Sequence, residues 1–389
     1  MNNVVVIGGN HHNTLGVIRS LGRKGISPYV ILIGANNDSF VSKSKYINET
    51  WIVSDIDLLI DFILSKYCII GKSVLIACCD SVSELLDRNQ TRLSDYFFLP
   101  CTNREGFIRE ISNKFIMSKM ASKIGLNIPF SSEISIDRFD DVIGSIIFPC
   151  ITKPIYSASG SKSDIVVCNN KDELYNILVK APKRNFLVQE FLIKKYEFQF
   201  IGCSLNNGQE VYIPGVSELI RPSDGSNTGF LKYVDLNITY SEVYNKTKEL
   251  IKETGYSGLF SVEFIRTYDN VDYFLEINFR NDGNSISVTN AGVNLPFVWY
   301  QYSLGLNYID EVKRRIHIEF VMPEFQELIL WYSFKLSTSK FLYDFWRTTS
   351  YMDYDRNDPA PTKGWRTFIR LLIKFSVKRM LKYFLRIIK

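Results

Sequence analysis

Histidine is scarce in this chain, with three in 389 residues. The seven cysteines (Cys68, Cys78, Cys79, Cys101, Cys150, Cys168 and Cys203) are odd in number and never spaced C-x-x-C. Together these argue against a zinc centre and a disulfide framework; buried or idle thiols in a reducing cytoplasm are the expectation. Long apolar runs are missing too. No stretch reaches the roughly 18 uninterrupted apolar residues of a membrane-crossing helix. Met1–Asn3 has no basic segment, so no secretory leader is expected either. Acids are missing from one place. Residues 363–389 hold nine Lys and Arg and no Asp or Glu, against a whole-chain net charge of +5, which leaves the rest at −4. What is present is a globular composition, 46% hydrophobic and 22% charged, in a length that suggests two or three domains.

The first part of the chain alternates in the manner of α/β folds. Val4–Ile7, Ser27–Ile33 and Ser73–Cys78 read as strands, and Thr14–Lys24, Asp57–Tyr67 and Ser81–Arg88 as helices. Short loops join them, which predicts a parallel sheet covered by helices. Asn113–Ile124 reads as a helix stopped by Gly125 and Pro129. Beyond it the strands lengthen and look antiparallel: Cys150–Lys153, Asp164–Cys168, Phe186–Glu190, Glu197–Cys203, Val211–Val216, Leu259–Ile265 and Tyr273–Asn278. No internal repeat is present.

The opening VVVIGGNHHNTLG, residues 4–16, puts glycines at a strand-to-helix turn. A dinucleotide fingerprint needs glycines at i, i+2 and i+5 and an acid closing the second strand. Here the glycines are Gly8, Gly9 and Gly16, and the second strand ends Ile31-Leu32-Ile33-Gly34. Both requirements fail, so no nicotinamide or flavin is expected. Such a turn still attracts an anion through N–H groups at a helix start. His11 and His12 could hold one; loop imidazoles at a surface turn fit equally well.

The middle of the chain carries the chemistry. Glu263 in LFSVEFI and Glu276 in YFLEINFR sit in apolar strands around the turn Tyr268-Asp269-Asn270, so the pair reads as a hairpin. Residues i and i+2 of a strand share a face, which aligns Glu276 with Asn278 and, register permitting, with Glu263. Two carboxylates and an amide oxygen on one face suit a hard cation such as magnesium, bound through few carboxylates while bridging phosphates. Arg280 continues the alternation toward a phosphoryl group. Upstream, FPCITKP places Lys153 at the end of an apolar run, followed by Ser157-Ala158-Ser159-Gly160-Ser161-Lys162, small enough for backbone amides to wrap phosphate oxygens. FLVQEFLIKKYEF then supplies Glu190 and Glu197, and Lys114 lies in NKFIMSKMASKIGL.

This ordered set, from about Asn113 to Gly292, resembles the ATP-grasp ligase superfamily. The stretch EINFRNDGNSISVTNAGVNLPF most resembles the branch of carbamoyl-phosphate-synthase-like carboligases and D-aspartate ligase. The resemblance implies an α/β and α+β protein. A Rossmann-like domain over 1–108 would precede a two-lobed ATP-grasp domain, its small lobe 109–185 and its large lobe 186–320. An aromatic bridge and basic helical tail would fill 321–389. It implies ATP and two Mg2+ ions as cofactors. Lys114 and Lys153 would touch the nucleotide phosphates, with Ser159, Gly160, Ser161 and Lys162 as the flexible loop over them. Glu190, Phe191, Leu192 and Ile193 would form the hinge that reads adenine, and Glu197 would take the ribose hydroxyls. Glu263, Glu276 and Asn278 would hold magnesium, while Arg280, with Lys153, would steady the transferred phosphoryl group. Gly8, Gly9, Asn10 and His11 become candidate substrate contacts. Ser261 stands where peptide-ligase relatives tend to have an arginine; Arg221 and Lys232, in IRPSDGSNTGFLKY, could supply substrate-facing charge from a mobile loop instead, the alternative being a merely solvated loop.

In the tail, Trp365, Ile369, Leu372, Ile373, Met380, Phe384 and Ile387 fall on one arc of a helix with most bases opposite, a pattern of membrane-surface helices. The expectation is a cytoplasmic ligase, peripheral on an anionic membrane through 363–389. It would join a carboxylate to an amine on a lipid-linked cell-wall or surface-polysaccharide precursor. No nucleic-acid partner is expected. Three alternatives stay open: a tail packed on its own protein or in a homodimer, a soluble ligase of free metabolites, and a non-catalytic nucleotide-binding scaffold.

Overall fold

The computed structural model describes residues 3–36, 38–156, 164–181, 184–223, 226–362 and 369–379. They form two compact units. The first comprises Met1–Cys78, Ser217–Asp235 and Asn281–Lys389, the second Cys79–Val216 and Leu236–Arg280.

In the first unit the strands Glu49–Val53, Tyr29–Ile33, Val4–Gly8 and Ser73–Ala77 lie side by side in that order, all parallel. Val4–Gly8 and Ser73–Ala77 are buried throughout, as unbroken apolar runs in a parallel sheet should be. Glu49–Val53 was not expected as a strand. It is the edge, only Trp51 and Val53 are buried, and so its sequence lacks the apolar run of its neighbours. The helix His12–Gly22 starts two residues early because His11 caps it, accepting the Asn13 N–H. Ser20 Oγ meets Thr289 Oγ1 at 2.9 Å, and Asn294 Nδ2 donates to the Ser20 carbonyl, which joins that helix to Ser285–Ala291.

Arg19, 1% exposed, is the anchor of this unit's C-terminal part. Its guanidinium donates to Asp358 Oδ2 (3.1 Å) and to the carbonyls of Asp353 and Asp358. Asp358 also accepts from Ser44 Oγ and the Lys45 N–H. The expected aromatic bridge is two helices, Glu324–Tyr332 and Thr338–Arg347. They close on a core of Leu328, Leu330, Trp331, Leu336 and Phe341. Residues 369–379 are helical, and Leu371, Leu372 and Phe375 pack against the same core. The expected single apolar arc is therefore corrected: Leu372 turns inward while Ile369 and Ile373 stay exposed. Trp365, Met380, Phe384 and Ile387 lie outside the described residues.

The second unit holds a four-stranded antiparallel sheet, ordered Ser131–Ile134, Phe186–Glu190, Cys150–Pro154, Val166–Cys168. Beneath it lies a core of Ile134, Cys150, Cys168, Leu174, Leu178, Phe186 and Val188. A second antiparallel set runs Asp272–Asn278, Gly258–Thr267, Lys194–Leu205, Glu210–Tyr212. The expected strand Val211–Val216 divides into Glu210–Tyr212 and Gly215–Ser223, because Pro214 has no N–H to continue a ladder. All seven cysteines are free thiols. Among the described residues no helix is long and apolar enough to cross a membrane.

Candidate functional site

The hairpin sets the geometry. Glu263 and Glu276 are direct partners across Gly258–Thr267 and Asp272–Asn278, and Ser261 faces Asn278 in the same ladder. Asn270 closes the turn at φ 63°, a conformation asparagine tolerates. Asn278 Nδ2 donates to Glu263 Oε1 (3.0 Å) and to Ser261 Oγ (3.3 Å), so the amide is oriented by the carboxylate beside it. Opposite this face the helix Lys114–Lys123 begins, its N-terminus capped by Asn113, which accepts the Phe115 and Ile116 N–H groups. That cap points Lys114 at the hairpin, where its ammonium ion-pairs with Glu276. Burial pushes the Lys114 pKa down, and Glu263 and Asp80 act against that shift.

Lys153 reaches the same neighbourhood from the small sheet. It lies on Cys150–Pro154 and its Nζ donates to Gln189 Oε1 at 2.7 Å. Its pKa is pushed down to about 8, first by burial and then by the positive charge of Lys114. Gln189 is itself buried and donates to Ser131 Oγ. At the end of that strand the Glu190 N–H bonds the Phe130 carbonyl and the Phe191 N–H bonds the Pro149 carbonyl. Phe191 and Ile193 are exposed there, an apolar edge beside a strand end. Glu197 pairs with Lys194. Arg280, just past the hairpin, places Nε 3.3 Å from Asp80 Oδ1.

Two lysines, two opposed carboxylates, an amide and an arginine therefore converge within one unit. Among the described residues no group of three or more His, Cys, Asp or Glu could hold a metal by itself. The donor set fits a hard cation whose remaining ligands come from phosphate oxygens and water. Ser159, Gly160, Ser161 and Lys162 lie outside the described residues.

No family model matches the chain. A formate-dependent phosphoribosylglycinamide formyltransferase of Bacteroides thetaiotaomicron is 23% identical over 189 residues, 47% of this chain and 48% of that protein. The match thus spans about half that relative's length. In structure, N5-carboxyaminoimidazole synthetase from Staphylococcus aureus superposes with TM-score 0.64 at 13% identity, covering 87% of each chain. L-amino acid ligase from Bacillus licheniformis does so with TM-score 0.62 at 15% identity, covering 81% of this chain and 78% of that one. The fold is ATP-grasp. At these identities the likeness is one of architecture, a parallel-sheet domain joined to an antiparallel ATP-grasp sheet.

Two residues at this site were given no role by the sequence reading. Asp80 pairs with Arg280 and lies near Lys114; the one available signal was its place after the apolar run Ser73–Ala77, at the carboxyl end of a parallel strand, where ligands gather. Gln189 counted in the ordered spacing of FLVQEFLIKKYEF, but nothing in that stretch marks it as a partner of Lys153.

The candidate substrate residues belong to the first unit. Gly8 leaves no room for a side chain: a Cβ would stand 2.4 Å from Thr14 Oγ1. Asn10 Oδ1 accepts from Ser39 Oγ and the Val41 N–H, and His11 caps the helix. His12 is held neutral, its pKa lowered to about 3 chiefly by burial, with His11 adding to the effect. Arg221 and Lys232 correct the expectation of a mobile loop. They lie on the strands Gly215–Ser223 and Ser226–Asp235. The Arg221 guanidinium is occupied by Glu327 and by Asp344 (2.8 Å), both fully buried. Lys232 stands 3.8 Å from Glu218.

Proposed function

We propose that this chain is an ATP-dependent carboxylate–amine ligase that works through an acyl phosphate. One observation carries the reading: the buried Lys114 ammonium pairs with Glu276 on the hairpin where Glu263 stands opposite and holds Asn278. Phosphoryl transfer asks a protein for position and for charge against developing negative oxygens. Mg-ATP supplies the phosphoryl group and the metal's charge. Glu263, Glu276 and Asn278 hold magnesium, and Lys114 and Lys153 neutralise phosphate oxygens. Phe191–Ile193 offers an apolar edge to adenine and Glu197 takes the ribose. Arg280, braced by Asp80, steadies the group in flight. A carboxylate oxygen attacks the terminal phosphorus, ADP leaves, and an amine then attacks the acyl carbon and expels phosphate.

The test is ADP release from Mg-ATP by the purified chain, screened over amino-acid and carboxylate pools with and without a membrane-lipid extract. Turnover that needs a carboxylate and an amine is expected. Tight nucleotide binding without turnover in any pool would favour a non-catalytic scaffold, and turnover on free metabolites alone would favour a soluble ligase. Our finer reading, that one substrate is a lipid-linked cell-envelope precursor, is supported by the basic C-terminal segment and predicts the lipid-dependent outcome.

Lys153 adds a pH signature. Nucleotide phosphates bind its charged form, so affinity is expected to be flat below pH 8 and to fall above it by up to about tenfold per unit. Titrating ATP binding by calorimetry across that range, with Lys153→Met as the control that loses the slope, checks this. An equal slope in both proteins would remove Lys153 from the phosphate site.

A further inference from the structure

The C-terminal helices of the first unit present a surface of unusual charge. Between residues 324 and 379 the acids are Glu324, Glu327, Asp344, Asp353, Asp355 and Asp358. None of them is exposed; Glu327 and Asp344 hold Arg221, and Asp358 holds Arg19. Apart from Arg347, which pairs with Asp344, and Arg379, which packs inward, the described cations of the same elements face water, among them Lys340, Arg370, Lys374 and Lys378. Large apolar side chains of the helix Thr338–Arg347 are exposed as well. Trp346 is 83% exposed, and Leu342, one helical turn before it, is exposed on the same face.

The helical residues 369–379 divide into three lines. Leu371, Leu372 and Phe375 pack on the core, Phe375 stacking on Tyr332 at 4.3 Å. Arg379 continues that line, over the rings of Trp331 and Phe334. Ile369, Ile373 and Val377, spaced i, i+4, i+8, are all exposed. Beside them runs a line of exposed cations, Arg370, Lys374 and Lys378, with the same spacing. A helix already seated on its own protein has no internal use for a second apolar line.

We infer that the exposed side of residues 369–379 docks on an anionic phospholipid bilayer, with Ile369, Ile373 and Val377 entering the headgroup boundary and Arg370, Lys374 and Lys378 meeting the lipid phosphates. Charge complementarity selects the occupant: apolar side chains interleaved with cations, and no exposed acid, match a surface that is negative outside and apolar beneath. The inference draws nothing from the nucleotide site, whereas the lipid-linked substrate proposed above draws on it.

Removing the tail is a poor test, because Leu371, Leu372 and Phe375 cover the core and their loss would expose Trp331. Surface substitutions in the full chain avoid that. Flotation with phosphatidylcholine vesicles, with and without phosphatidylglycerol, is expected to show binding only to the anionic vesicles, reversed by high salt. The combined Arg370→Glu, Lys374→Glu, Lys378→Glu variant should partition at least roughly a hundredfold more weakly. Ile373→Ser with Val377→Ser should lose on the order of tenfold. Circular dichroism and Mg-ATP binding by calorimetry, unchanged in both variants, separate this outcome from misfolding and from failure of the nucleotide site. No binding to anionic vesicles by the folded chain overturns the inference, as does equal binding by both variants. Self-association that the same substitutions dissolve would overturn it in favour of a second copy.

Discussion

Replacing Glu276 by alanine is expected to slow ADP release from Mg-ATP by about a thousandfold or more. Glu276 faces Glu263 across the hairpin and pairs with Lys114, so its loss acts twice. It halves the carboxylate charge offered to magnesium, whose Lewis-acid role in such transfers is worth several kcal/mol. It also takes the nearest counter-charge from the buried Lys114 ammonium. About 4 kcal/mol of lost transition-state stabilisation is a factor of roughly a thousand. Glu276→Gln keeps the shape and removes the charge, and should lose nearly as much, whereas a packing role would let it recover. Steady-state rates against magnesium concentration decide the matter. Turnover by the alanine variant within tenfold of the parent would remove Glu276 from the metal site.

The second large effect concerns stability. Asp358→Ala should destabilise the chain by about 3–5 kcal/mol, the usual cost of stranding one member of a buried ion pair. Arg19 would be left with a fully enclosed guanidinium, and Ser44 and the Lys45 N–H would lose their acceptor. The double variant Arg19→Met with Asp358→Leu should recover much of that loss, because apolar replacements strand no charge. Urea unfolding of the single and double variants measures both numbers. A single-variant cost below about 1 kcal/mol would mean that the pair is solvated in solution.

What was legible in advance follows from which interactions are local in sequence. Glu263, Glu276 and Asn278 could be placed together because strand alternation and a tight turn determine a hairpin's facing residues. The parallel strands were legible because burial on both faces writes an apolar run; the edge strand Glu49–Val53 carries no such run and was missed. Asp80 was hidden for another reason: its partner Arg280 is two hundred positions away, and neither segment alone calls for an ion pair. Arg221 was misjudged because a polar, glycine-containing stretch reads as a loop, while its acceptors Glu327 and Asp344 sit on helices the sequence reading took for a bridge. The tail shows the same limit. A helical wheel finds apolar residues, but only packing separates Leu372, which faces the core, from Ile373, which faces water at 60% exposure.

The most direct test of the central claim follows an oxygen atom. If a carboxylate attacks ATP and an amine then displaces phosphate, one carboxylate oxygen must leave on that phosphate. With carboxylate pools enriched in 18O and the reaction run in ordinary water, mass spectrometry of the released phosphate is expected to find one heavy oxygen per turnover. Phosphate released without the label would mean that water is the acceptor, and the ligase account would be wrong.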